Sequence, residues 1–229
     1  MHVLLATVIL AGSPAEPVVD LCPTHQVMAE QLADEVQTGT LLFSQGDCLA
    51  VKVFSKSEYT HVATVVVEDN QPIVYESTNG VGVRKLPLDE YIAVSAPDEL
   101  HVYQPTFEFH QKLQAPFVSH LKQELGRPYS VKHHLTGKRC EGVHCAEYVT
   151  DALIAADIMR AKQPPKVSPG SLRNGIEQAR RYRETLVLNL EPPEPEREEG
   201  DGWCESLWLD TKYCTQDCYV SFKRKFLCR

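Results

Sequence analysis

Arg139-Cys140-Glu141-Gly142-Val143-His144-Cys145-Ala146-Glu147-Tyr148-Val149 sets a cysteine on the first turn of a helix that packs into a core. Gly142 closes the loop before it, and from Cys145 the residues Val149, Ala152, Leu153 and Ala156 return on one face, the stripe of an amphipathic helix. A helix start carries unpaired backbone N–H groups and a partial positive charge. Both favour thiolate over thiol and can hold a developing oxyanion. The same position also suits a cysteine that merely fills space, since cysteine is among the most buried residue types. A base within reach of the thiol separates the two readings.

The chain has 229 residues, 43% of them hydrophobic, enough for one domain of ordinary size with appendages. Its net charge of -8 and pI near 5.6 exclude the basic surface that a nucleic-acid binder presents. Residues 1–15 hold a short apolar run with small residues at Ser13 and Ala15, which reads as a signal peptide, although no Lys or Arg precedes Lys52. A buried N-terminal strand is the competing reading. The run is too short to span a membrane, so the expected location is secreted or periplasmic, with no transmembrane span.

Eight cysteines in an exported chain suggest disulfides, and Cys204, Cys214, Cys218 and Cys228 crowd the end of the sequence. A metal site there is a weaker reading, because Cys214 and Cys218 lack a second close Cys or His pair. No metal or cofactor is expected. Residues 191–202, with Pro192, Pro193 and Pro195 among acidic residues, read as an extended linker between a domain at 16–190 and a cysteine-rich tail at 203–229. The tail is too small to build a core without cross-links. Its basic end at Lys223, Arg224, Lys225 and Arg229 is either solvated or drawn to an anionic surface.

Within the domain the patterning predicts an α+β fold whose mostly antiparallel sheet packs against helices. A helix is expected over 24–36, a buried strand over 39–43, and a short helix over 48–54 capped by Asp47. The β-branched run His61 to Val67 and the run Ile73 to Ser77 form the clearest hairpin. Strands follow at 81–86 and 100–104 around a helical turn at 88–91. Then come a helix with Pro116 in its first turn and Phe117, Leu121 and Leu125 on one face, the Cys145 helix, a helix at 171–180 and a strand at 185–190.

Nine histidines compete as the base. His144 neighbours Cys145 on the helix and points about 100° away from it. His133 and His134 fall in a loop, and His25, His101, His110 and His120 read as surface positions. His61 opens the first hairpin strand. If the hairpin turns about Glu68-Asp69, His61 faces Glu76 directly, and its imidazole N–H can reach the carboxylate. A one-residue slip would put Ser77 there and turn Glu76 to the other face.

The order Gly39 to Phe43, Tyr59-Thr60-His61-Val62-Ala63, Glu76, Arg127-Pro128-Tyr129 and His144-Cys145-Ala146-Glu147-Tyr148-Val149 resembles the permuted papain-like cysteine hydrolases of the YiiX/YebB group in the NlpC superfamily. The resemblance spans about residues 39–190. It implies a papain-like fold, Cys145 as nucleophile, His61 as base, Glu76 as the residue orienting it, and Tyr129 in substrate binding. Two positions depart from the family pattern: Ala146 follows the nucleophile in place of serine, and Thr40 follows Gly39 in place of aspartate. The implied activity is a thiol peptidase or amidase acting on peptide amides of peptidoglycan. Relatives that act on lipid or other acyl groups make a peptide or an acyl substrate the alternatives. A non-catalytic secreted binding protein with Cys140 paired to Cys145 is the rival from another class.

Overall fold

The hairpin carrying His61 and Glu76 is formed by strands β2 (Tyr59–Glu68) and β3 (Gln71–Thr78). Asp69 and Asn70 link them at φ 50° and 63°, both left-handed, as a two-residue primed turn requires. Short polar side chains tolerate that backbone, which is why the turn falls there and not at Glu68-Asp69. The register pairs Val65 with Val74 and Glu68 with Gln71. Continued, it would set Glu76 opposite Ala63, two residues from the expected partner. An even displacement preserves the face, so His61 and Glu76 still share one side of the sheet.

The structure is a computed structural model that describes residues 23–45, 52, 57–95, 98–190, 198 and 201–227. The expected signal peptide, nearly all of the expected helix at 48–54 and most of the expected linker lie outside the described residues. The remaining strands are β1 (Leu41–Gln45), β4 (Gly82–Pro87), β5 (Glu99–Pro105) and β6 (Tyr182–Asn189). They complete one six-stranded sheet ordered β4-β3-β2-β1-β5-β6, antiparallel at every pairing.

Alternation along β2 sends Val62 and Val66 into one core and Ala63 and Val65 into another. Helices α1 (Pro23–Glu35) and α2 (Leu88–Ser95) cover the second face with Leu32, Tyr91 and Ile92. Helices α3 (Gln111–Gln123), α5 (Cys145–Ala155) and α6 (Pro169–Gln178) cover the first with Phe117, Val149 and Ile176. The short α4 (Lys132–Thr136) lies in the loop before α5. Each fully buried valine or leucine contributes roughly 1.5–3 kcal/mol, so both helical layers stabilise the sheet.

Several expectations are revised. Helix α3 begins at Gln111, leaving Pro116 inside it and not in its first turn. His101 is 8% exposed, not a surface residue, and its ring meets Gln45 Nε2 and Glu184 Oε2, both at 2.9 Å. Helix α5 is buried on nearly every side, including Glu147 and Asp151, where a single apolar stripe was expected. Arg139 satisfies Asp151 through two bonds of 2.6 and 2.7 Å. Residues Trp203–Leu227 form one helix, α7. Cys204, Cys214 and Cys218 on it are thiols. Along a helix Cys204 and Cys214 stand about 15 Å apart, far beyond disulfide reach.

The sheet forks where the site lies. The β2–β3 ladder ends at Thr64–Tyr75, yet β2 stays bonded to β1 as far as Tyr59 and β3 to β4 as far as Thr78. The entry to α5 meets this opening, with Ser77 Oγ donating to Val143 O at 2.8 Å. The loop before α5 is held by Arg127, whose Nε donates to Glu141 O at 2.6 Å and Nη2 to Cys140 O at 3.0 Å. Gly142 is pressed against the neighbouring strand-like segment: an added Cβ would lie 2.5 Å from Ser130 Cβ and 2.8 Å from Pro128 O. Gly142→Ala is therefore expected to lower stability by about 1–3 kcal/mol in urea unfolding. An unchanged midpoint would mean that the loop yields freely.

Candidate active site

Cys145 is the first residue of α5, 4% exposed, and its thiol lies close enough to the His61 imidazole for the two to interact electrostatically. His61 Nε2 donates to Glu76 Oε2 at 2.7 Å, which leaves Nδ1 for the thiol. Glu76 is 1% exposed, and its other oxygen, Oε1, accepts from Arg84 Nε at 2.7 Å and lies 2.6 Å from Arg84 Nη2. Thus the fork brings together Cys145, His61 and Glu76 in one row, with Arg84 at its far end.

The electrostatics follow from this row. Burial alone would raise the Cys145 pKa, but attraction to His61 and then contacts with His144 and His61 outweigh it and lower it to about 6. Burial likewise opposes a charged His61, and the Cys145 thiolate and Glu76 overcome it, raising the imidazole to about 10. The Glu76 carboxyl would rise on burial, yet hydrogen bonds and charge from His61 and Arg84 hold it below its usual value. Between these limits the resting pair is thiolate and imidazolium.

Tyr129 stands beside the thiol, paired through an isolated bridge with Val143. Burial, then the Cys145 charge, pushes its phenol upward, so it stays a protonated donor. His144 is the N-cap of α5: its Nδ1 accepts from Glu147 N at 3.3 Å and its Nε2 donates to Pro165 O at 3.0 Å. Cys140 and Cys145 are not joined by a disulfide.

Sequence reasoning did not single out Arg84, Tyr91 or Ser44. Arg84 pairs with Glu76 across β3 and β4, so an acid and a base opposed in a hairpin was its available signal. Tyr91, fully buried on α2, shares a hydrogen bond with Ser44 Oγ at 3.3 Å. Burial and then the Glu76 charge push its phenol upward. Nothing local in the sequence marks it, because its partners Ser44, Glu76 and Cys145 come from two separate strands and another helix.

A family model described as permuted papain-like amidase enzyme, YaeF/YiiX, C92 family, matches residues 35–187. Among solved structures, one titled as the metalloprotein yiiX from Escherichia coli O157:H7 is similar at a TM-score of 0.53 and 18% identity. That similarity covers 66% of this chain and 96% of that one. The search of curated proteins found no match. Among the described residues, no three His, Cys, Asp or Glu side chains converge as metal ligands. With the α+β architecture and a family match over most of its length, the chain belongs to the permuted papain-like amidases of the YaeF/YiiX family, and is a cysteine hydrolase of amide bonds.

Proposed function

We propose that Cys145, His61 and Glu76 are the catalytic triad and that the substrate is a peptide amide of cell-wall peptidoglycan, met after export to the periplasm or the exterior. The observation that carries the triad is the row running from the Cys145 thiol through His61 to Glu76, 2.7 Å from Nε2 to carboxylate. The Cys145 thiolate attacks the carbonyl carbon, and the first-turn amide of Cys145 holds the oxyanion. His61 then gives its proton to the departing amine. With His61 neutral, it takes a proton from water as the hydroxyl oxygen attacks the thioester, releasing the acid and the Cys145 thiolate and restoring the thiolate–imidazolium pair. Tyr129, a protonated donor next to the thiol, binds the substrate carbonyl side.

The polar groups that interact with Cys145 are His61, His144, Tyr91 and Tyr129. Their polar tips favour a peptide amide over a long acyl chain. Incubating the full chain with soluble muropeptides and with a fatty-acyl ester, and following products by mass spectrometry, tests this. Amide cleavage of the muropeptide is the expected result, and ester cleavage alone would move the substrate to the lipid class. The pH dependence of kcat/KM is expected to be bell-shaped for the coupled pair. Below about 6 the thiolate is protonated, and above about 10 the imidazolium proton is lost. A profile that keeps rising from pH 7 to 9 with the titration of an ordinary thiol would remove the ion pair from the mechanism.

A further inference from the structure

His144 is an unusual cap. Helix starts are most often capped by Ser, Thr, Asp or Asn, each of which offers one short oxygen. Here one ring does two jobs from opposite edges: Nδ1 takes the Glu147 N–H and Nε2–H binds Pro165 O. His144 is 5% exposed, so neither bond competes freely with water. The pattern of one accepting and one donating nitrogen defines a neutral tautomer. It ties the first turn of α5 to the 3-10 turn Pro164–Lys166 on a separate stretch of chain.

The ring also sits next to the nucleophile, and this decides which caps are tolerable. An aspartate would satisfy Glu147 N–H equally well, but it would bring a negative charge beside the Cys145 thiolate and oppose its ionisation. The charged groups around the ring are few. From α4, His134 packs edge-on at 5.7 Å between ring centroids, and burial, then His144 and Lys166, keep its pKa low. From α5 itself, Glu147 Oε2 lies 3.8 Å from Nε2, with Arg139 at 3.7 Å from Oε1 of the same carboxylate. His61 faces the thiol from the sheet.

We propose that His144 is a positioning residue for the amidase reaction, a neutral cap that anchors the nucleophile's helix turn without setting negative charge beside the thiolate. This rests on Cys145 being the nucleophile. A proton added to the ring would occupy Nδ1, forfeiting the bond to Glu147 N and leaving a donor aimed at the sulfur. Burial resists that charge, although the hydrogen bond and attraction to Cys145 raise the ring's pKa overall. The two forms therefore differ in what holds the helix turn, and the cap belongs to the neutral one.

The test compares His144→Asn, His144→Asp and His144→Ala in the full chain. The readouts are the pH profile of Cys145 alkylation by iodoacetamide, followed on the Cys145 peptide by mass spectrometry, and kcat/KM on the muropeptide amide. H144A is expected to lose about tenfold in kcat/KM with its cap, and H144N to recover most of that loss. H144D, which caps with nearly the same shape, is expected to raise the acid limb of alkylation by about one pH unit or more relative to H144N. An identical limb in H144D and H144N overturns the proposal, as does wild-type behaviour in H144A. If H144A does not fold, the near-isosteric H144D and H144N pair still decides. The alkylation profile needs no substrate: a shifted limb in a chain that cleaves no amide supports the role of His144 while refuting the proposed function. Amide cleavage with no effect of any His144 substitution refutes only the role.

Discussion

Cys145→Ala is expected to lower kcat on the amide substrate by about four to six orders of magnitude, and His61→Ala by a similar factor. The reason is that neither group acts alone. Without His61 the buried thiol loses the attraction that lowers its pKa to about 6, so the nucleophile reverts to thiol. Without the sulfur there is no acyl acceptor, whatever the state of the imidazole. The double variant is therefore expected to be no slower than either single one, since the second removal takes away nothing still working. Thermal melting should stay close to wild type in Cys145→Ala, where one sulfur leaves a buried site. Residual turnover within tenfold of wild type in either variant, in a folded chain, would reassign the nucleophile or its base.

The second large effect concerns Glu76. Its carboxylate is 1% exposed and holds His61 with one oxygen and Arg84 with the other. In Glu76→Ala the imidazole has no acceptor at Nε2 and the guanidinium loses its counter-charge. We expect a fall of about 10³–10⁴ in kcat/KM. The stability loss should be about 2–3 kcal/mol, the lower end for a broken buried pair because Arg84 and His61 are 26% and 20% exposed. Glu76→Gln, which still offers His61 an oxygen, should recover part of the activity. Steady-state kinetics and urea unfolding read the two losses separately. Kinetics unchanged in Glu76→Ala would show that His61 is oriented by something else.

The hairpin itself was legible in the β-branched run ending at Val67 and in Ile73-Val74, because alternating burial of a central strand leaves that composition. Its register was not, since Glu68-Asp69 and Asp69-Asn70 look alike as polar turn residues. Only the two left-handed positions distinguish them. The shared face of His61 and Glu76 survived this error through parity. The helix start at Cys145 was legible from Gly142 and the apolar returns, but the burial of Glu147 and Asp151 was not. Helical periodicity reports one packed face, and it cannot register the loop that brings Arg139 over another. His101 was misjudged for the same reason, its partners Gln45 and Glu184 coming from flanking strands. The terminal cysteines suggested cross-links by their number alone, whereas spacing along a helix decides which can meet.

The two-residue link at Asp69-Asn70 ties the chemistry to a remote point on the surface. Eight residues of extended chain put it about 25 Å from His61, well outside any contact with substrate. Yet a one-residue slip of the pairing that this turn sets would reverse the parity of one strand against the other and send His61 and Glu76 to opposite sides of the sheet. Over evolutionary time this exposed turn is thus held to residues that accept left-handed backbone, such as Asn, Asp and Gly. The reading frame of the hairpin, set about 25 Å away at the far end of that extended chain, is what keeps His61 and Glu76 on one side of the sheet.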